Sequence, residues 1–567
     1  MTVTSTRVSF GFYAMEVKQD STPTCSDKQT FSKMNDLVVD NVSPRPYITF
    51  EPDYWLLSGG YRFMSEIEES VHVGLMSLSM SDENGDFDTP PQLVVDFSEV
   101  QSIDSLTLLF DAYTNDYASD IDVEYYNATY SLISSTNYTP DTFEFATEDS
   151  AANFKQIKIT FNSTNNPYRY LRLKGIDYGE LVTFDSSTII SASIIEQVDP
   201  MSITVPSNSL DLSVYSTDAQ FSMINPTGDY SALQYNQQLS VYEYVDGNLI
   251  YFGNYYLDDW SNPSDYVINM KAIDLIGILD GEPYRGGLWA ASDITLSELL
   301  EDMFDAIDTP YDLDTILYDV PVVGWIPITT YREALQQLAF MAGAYVSCSR
   351  SGVIQIYKSK LLSDVWSAEY TVTKAMKGMD DQSLTQKALV TGVEIKSHNY
   401  VENTTSTELY NGTLAAGTHT ITFENPVHDL SVTGASISSS GANYAVLSVS
   451  AAVTVVLTGL GYTDTSQVYG VYTQGLGSNV KSNVLSITNA TLVNRSNVAE
   501  ITQRIYDYYQ QRYLQKVKLF APTAEVGKSV VIDTLYNQEI LGIVEKMNIN
   551  LSGGFVSDTE IVGVVNG

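Results

Sequence analysis

The stretch QQLSVYEYVDGNLIYFGNYYLDDWSNPSDYVINMKAIDLIGIL, Gln237–Leu279, decides the architecture. Two runs, QQLSVYEYV and NLIYFGNYYLDDW, meet at Asp246-Gly247-Asn248, a hairpin turn signal. A third strand, YVINMKAIDLIGIL, follows the Pro-containing turn at Asn262-Pro263. Tyr and β-branched side chains fill these runs, and such residues suit half-buried pleated surfaces. The chain has 40 Tyr in 567 residues, so the same reading extends to a mostly β protein.

Upstream, short runs with period-2 alternation recur: QLVVDFSEV from Gln92, DIDVEYY from Asp120, FKQIKITF from Phe154 and YRYLRLKGI from Tyr168. Turn-rich stretches at Asp82-Glu83-Asn84-Gly85 and Asn162–Pro167 separate them, which predicts a β-sandwich over 1–178. Downstream comes the strong helical section of the middle. Leu296, Leu299, Leu300, Met303, Phe304 and Ile307 form one apolar stripe, opened by a Thr295/Glu298 capping box. A second helix begins at Thr330 with Glu333 as its capping partner and carries Leu335, Leu338, Ala339 and Ala342 on one face. The strands AYVSC and VIQIYK follow, joined at Arg350-Ser351-Gly352. Residues 400–490 are poor in charge and read as an inserted β domain, because ALVTGVEIKSH before them and NVLSITNATLV after them read as strands of one body. A last helix is expected over Val498–Leu514, and the strands VGKSVVIDT, EILGIVEKMNINL and EIVGVV close the chain. The resulting division is 1–178, 179–290, 291–399, 400–490 and 491–567, mainly β and multidomain, with a few α-helices in α+β middle and C-terminal parts.

The charge is lopsided. Against 70 Asp and Glu stand 29 Lys and Arg, a net −41, yet only 17% of residues are charged. The deficit therefore lies in basic residues, with no acidic block to mark a disordered tail. Such a surface repels nucleic acid and anionic membranes, so direct nucleic-acid binding is disfavoured. Solubility alone is one reading; a conduit wall that lets DNA pass without sticking is the other. Cys25 and Cys348 lie too far apart in sequence to suggest a disulfide framework or metal spacing. The opening MTVTSTRVSFGF lacks the pattern of a signal peptide, and the uncharged run Leu430–Thr463 reads as sheet rather than a membrane span. Synthesis in the cytoplasm without membrane insertion is expected.

Motifs for chemistry are missing. His72, His398, His419 and His428 are all the histidines, and they form no cluster at metal-ligand spacing. Val526-Gly527-Lys528-Ser529 has the end of a P-loop without its first glycine, and a strand follows where a helix is needed. Adjacent acids such as Asp258-Asp259 and Asp380-Asp381 carry little information among 70 carboxylates, which leaves a glycosidase disfavoured. Ser81–Asp86 offers closely spaced oxygens without EF-hand spacing, so a solvated loop is expected over a calcium site. No catalytic residue, metal or cofactor is assigned.

Two resemblances cover most of the chain. PYITFEPDYWLLSGG, PPQLVVDFSEVQSIDSLTLLFD, DIDVEYY and YRYLRLKGIDYGE resemble a discoidin-type, galactose-binding-like β-sandwich. In that family an early loop holds a ligand-binding aromatic, a place that Tyr54 and Trp55 fill; a core role for Trp55 is the alternative. From about 179 to 360, and again near the end, the chain resembles the baseplate hub proteins of phage tails, especially those of prophages in Gram-positive bacteria. The segments are Gly247–Trp289, ITTYREALQQLAFMAGAYVSCSRSGVIQIYK, NVAEITQRIYDYYQQRYLQKVKLF, VGKSVVIDT and LSGGFVSDTEIVGVV.

The hub resemblance implies barrel-type β domains in a homotrimer that adapts a sixfold tail tube to a threefold tip around a lumen. It implies as partners the distal tail ring, tail tube, tape measure and tip or receptor-binding proteins, and a place in the virion at the tail tip or baseplate. DNA would pass through without being bound, and a host glycan could meet the discoidin-like unit. The chain departs from larger hubs in showing no recognisable peptidoglycan-cleaving domain. The rival reading is a carbohydrate-binding adhesin, with the discoidin-like unit as its working part.

Overall fold

The computed structural model describes residues 4–38, 49–52, 54, 73–111, 114–147, 150–216, 219–225, 229–245, 248–290, 294–307, 309–362, 368–378, 382–477, 479–520, 524–536, 538–552 and 554–565. The chain is mainly β and multidomain, with a few short helices. A sandwich layer of five strands is built from Ser21–Cys25, Gln92–Ile103, Ala151–Thr164, Ala118–Tyr126 and Leu132–Tyr138, in that spatial order. Its inward residues alternate, as in Leu93, Val95 and Phe97, and they pack with Phe154, Ile157, Ile159 and Tyr178 in one core. The alternation seen in the sequence places these apolar side chains on one face.

A second sheet has 16 strands. Its order passes from Tyr513–Leu519 through Val556–Val565, Glu539–Asn550, Ile189–Gln197, Ser209–Tyr215, Val267–Ile273, Asn248–Ser264 and Gln238–Val245 to Thr4–Tyr13 and Tyr170–Asp185. The opening strand therefore pairs both with Tyr170–Asp185 (Phe10↔Val182) and with Gln238–Val245 (Val8↔Val241). Ile189–Gln197 pairs with Glu539–Asn550, so strands from early and late in the chain share one core containing Val8, Phe252, Met270, Ile532, Ile549 and Ile561. The strand Tyr170–Asp185 lies in the long sheet but serves two cores: Leu171, Leu173, Ile176 and Tyr178 pack with the sandwich residues, and Phe184 with the core of the long sheet.

The third expected strand of the opening quotation is shorter than the sequence suggests. Val267–Ile273 pairs with Asn248–Ser264, but Asp274 then caps a one-turn helix, Leu275–Ile278. The Asp274 carboxylate accepts hydrogen bonds from the Gly277 N–H at 3.1 Å and the Asn208 N–H at 2.8 Å. These local bonds redirect the backbone before the apolar run ends.

Helix Leu296–Asp305 has its capping box and its buried stripe as expected. In helix Tyr331–Ala342 the Thr330 hydroxyl accepts from the Glu333 N–H, whereas the Glu333 carboxylate turns to the Thr329 hydroxyl and leaves the box half formed. Its far end is capped by Gly343 at φ +70. The Arg504 guanidinium donates to the Phe340 carbonyl at 2.7 Å and the Lys358 ammonium to the Ala342 carbonyl at 3.0 Å, so two cations meet the negative end of the dipole. The last helix spans Val498–Tyr509 and stops short of Leu514. The following YLQKVKL alternates and pairs with Val556–Val565, and this pairing wins the residues for the sheet.

The charge-poor stretch forms two three-stranded sheets around Ala445, Leu447, Val449, Val455 and Leu457. Its flanks meet again in parallel, Val393↔Leu485 and Ile395↔Ile487. Asn443, wholly buried, ties it to the rest: Oδ1 accepts from the Trp325 indole at 2.7 Å, and Nδ2 donates to the carbonyls of Arg285 and Ile326. The long sheet is pinned to the middle region by the turn at Arg350. Its side chain is 7% exposed, 3.3 Å from a Glu196 carboxylate of 0% exposure, and its guanidinium donates to the Ala524 carbonyl at 2.7 Å.

Candidate functional site

Tyr54 lies in a charged cluster at one end of the sandwich; Trp55 lies outside the described residues. Tyr54 is buried, and the Arg172 guanidinium sits 4.2 Å from its ring centroid, with Arg169 at 5.5 Å. Burial, reinforced by Asp111, pushes the Tyr54 phenol well above its usual range. Arg172 also pairs with the fully buried Glu51 carboxylate, which accepts the Tyr170 N–H at 2.8 Å. Asp116 completes the group: Asn166 donates to it at 2.8 Å, and Arg169 Nε stands 3.5 Å away. Desolvation raises the Asp116 carboxyl, opposed by Asn166 and the two arginines.

Three buried atoms here, Asp116 Oδ2, Arg169 Nε and Arg172 Nη1, have no hydrogen-bond partner among the described residues. The arrangement clamps Glu51 and Tyr54 to the Tyr170–Asp185 strand, and the ring of Tyr54 is engaged by arginine rather than turned to solvent. The aromatic signal in the sequence led to Tyr54. Nothing in the sequence pattern pointed to Glu51, Asp116 or Arg172, which are brought together only by the sandwich.

A cavity of about 580 Å³ opens where the sandwich meets the long sheet, with Ser9, Lys18, Glu144, Asp177, Gln237 and Tyr256 among its walls. Its charges are internally matched. Lys18 Nζ is 2.5 Å from Asp177 Oδ1, Arg7 is 3.4 Å from Glu144, and Tyr242 donates to Glu144 at 2.9 Å. Burial raises the Glu144 carboxyl, and Arg7 works against it. Paired in this way, neither acid is placed as a free base or nucleophile.

The other sequence candidates for chemistry are dispersed. Asp82 Oδ1 accepts the N–H groups of Asn84 and Asp86, which makes Ser81–Asp86 a self-bonded turn. No His, Cys, Asp and Glu grouping able to hold a metal occurs among the described residues. His398 contacts Asp464 at 2.9 Å, His419 the Ala415 carbonyl and His428 its neighbour Asp429; His72 and the Asp380-Asp381 pair fall outside the described residues. Gly527, at φ +79, leads into the strand Ser529–Asp533. Among the described residues no helix is long and apolar enough to cross a membrane.

No protein-family model matches the chain, and no curated protein matches it. Among solved structures it is similar to the 43 kDa tail protein of prophage MuSo2 from Shewanella oneidensis, at 12% identity and TM-score 0.39, over 68% of this chain and 95% of that one. It is similar to prophage tail protein gp18 from Listeria monocytogenes, at 12% identity and TM-score 0.35, over 66% and 95%. It is also similar to the family 32 carbohydrate-binding module of NanJ from C. perfringens, solved with galactose, at 10% identity and TM-score 0.20, over 31% and 99%. The chain is thus similar to phage tail proteins over about two thirds of its length and to a carbohydrate-binding module over about a third.

Proposed function

We propose that this chain is a non-enzymatic structural part of a phage-like tail, acting as a hub at the tail tip. Three copies would close into a ring between tail tube and tip, with an acidic lumen for DNA. The observation that carries the reading is the long sheet. The strands Thr4–Tyr13, Ile189–Gln197, Ser209–Tyr215, Gln238–Val245, Asn248–Ser264 and Val267–Ile273 share one sheet and one core with strands between 513 and 565, a continuous body suited to a load-bearing ring segment. Outward features fit assembly. Met223, Ile224, Leu535 and Tyr536 are 56–76% exposed on turns of this body, where apolar side chains gain most from burial against another chain. Three chains of −41 carry −123, and a wall of that sign repels the DNA backbone instead of binding it. The sandwich and the charge-poor β region would sit outward, facing other tail proteins or host glycans.

Light scattering on the purified protein at moderate salt tests the assembly. A mass near three times 62.7 kDa, with ring-shaped particles in negative stain, is the expected result. A stable monomer that forms no rings, alone or with tail tube protein, would overturn the ring; tight sugar binding by that monomer would favour the adhesin.

A further inference from the structure

Between the opening strand and Gln238–Val245 the inward rungs run Phe10↔Leu239, Val8↔Val241 and Thr6↔Glu243. The first two are apolar and buried; the third places a carboxyl of 0% exposure on the same face. Thr6 Oγ1 stands 2.7 Å from Glu243 Oε2 and 2.9 Å from the Leu551 carbonyl. A hydroxyl owns one hydrogen, so it cannot donate to both. Both contacts are hydrogen bonds only when Glu243 carries a proton: the acid donates to Thr6, and Thr6 donates to Leu551.

Among the described residues no cation is aimed at Glu243, and only the Thr6 and Thr4 hydroxyls favour its ionised form. Its Oε1 has no hydrogen-bond partner among the described residues. On the opening strand the nearest cation, Arg7, is committed to Glu144, and on its own strand Tyr242 hydrogen-bonds to that same Glu144. The strand Asn248–Ser264 sets Ile250 opposite Glu243. The turn after Glu539–Asn550 brings Ser552, whose hydroxyl accepts the Ala192 N–H, and Gly554, which lies beside the Thr4 hydroxyl. Burial pushes the Glu243 carboxyl up to about 7, against the pull of the Thr6 and Thr4 hydroxyls.

We propose that the proton on Glu243 is a latch holding the Leu551 turn to the opening strand, closed when the carboxyl is neutral and loosened when it ionises. It ties two segments 545 residues apart, within one chain and independently of any ring. The sign follows from linkage. The folded carboxyl is raised from 4.5, so its contribution is complete below that value and is lost as pH rises through about 7.

Hydrogen exchange of the full chain at about pH 5.5 and about pH 8, corrected for intrinsic rates, reads the latch. Amides around 549–556 should lose about tenfold in protection at the higher pH in the wild type. Glu243→Gln keeps a donor and cannot ionise, so its protection should be pH-independent. Thr6→Val, which removes the relay, should show the open form's weak protection at both pH values. Parallel pH responses in wild type and Glu243→Gln, or a Thr6→Val protein protected like the wild type at low pH, would overturn the proposal.

Discussion

Arg350→Ala removes the cation that makes the Glu196 charge tolerable. Burial pushes the Glu196 carboxyl up, and the Arg350 guanidinium is what pulls it back. Without it the carboxyl is buried with no counter-charge, and a buried pair that loses one partner costs about 3 kcal/mol or more. The Ala524 carbonyl loses its 2.7 Å donor, worth about 1 kcal/mol or more. Contact with the Phe252 ring at 4.7 Å goes as well, for about 0.5–1 kcal/mol. The total is about 4–5 kcal/mol at pH 7, in line with broken buried pairs. A neutral carboxyl needs no counter-charge, so the penalty should shrink as the pH falls toward about 5. Hydrogen exchange of the Ile189–Gln197 amides, read as opening free energies in wild type and variant at both pH values, measures this. A loss below about 1 kcal/mol, or one indifferent to pH, would refute the assignment of Arg350 as the counter-charge.

Gly343→Ala puts a Cβ 1.8 Å from Arg504 Nη1 at φ +70, displacing the cap of helix Tyr331–Ala342. A loss of about 2 kcal/mol or more is expected from chemical denaturation, and a neutral result would mean the left-handed cap is not needed. Asn443→Ala orphans the Trp325 indole and two carbonyls and should cost about 3 kcal/mol at the seam of the charge-poor region. Faster proteolysis within 400–490 and a red-shifted Trp signal would report it; an unchanged digestion pattern would contradict it.

Most strands and helices were legible because each has a local cause. The Thr295/Glu298 box and the stripe through Leu300 and Phe304 follow from spacing, and the flanks of the charge-poor stretch read as strands of one body, although not their parallel pairing of Val393 with Leu485. The sequence also overran in two places, past Asp274 and past Tyr509, where a single cap or a distant strand partner redirected the chain. The polar clusters were not legible. Glu196 and Arg350, like Glu51, Arg172 and Asp116, are ordinary surface residue types whose burial depends on strands joined across the fold. Tyr54 was named through the discoidin-type resemblance alone, and its arginine neighbours, Arg169 and Arg172, come more than a hundred residues later in the chain.

The position of the opening strand has a consequence for synthesis. It leaves the ribosome 237 residues before its rung partner Glu243 and 545 before its latch partner Leu551. Until residues 170–245 have emerged both edges of the strand carry unpaired backbone donors and acceptors, and the core around Val8 and Phe10 is completed only by residues 517–561. Closure of such distant pairs is slow and leaves apolar edges exposed meanwhile. The nascent chain should thus depend on a holding chaperone, or on early sandwich folding around it, more than its finished stability would suggest.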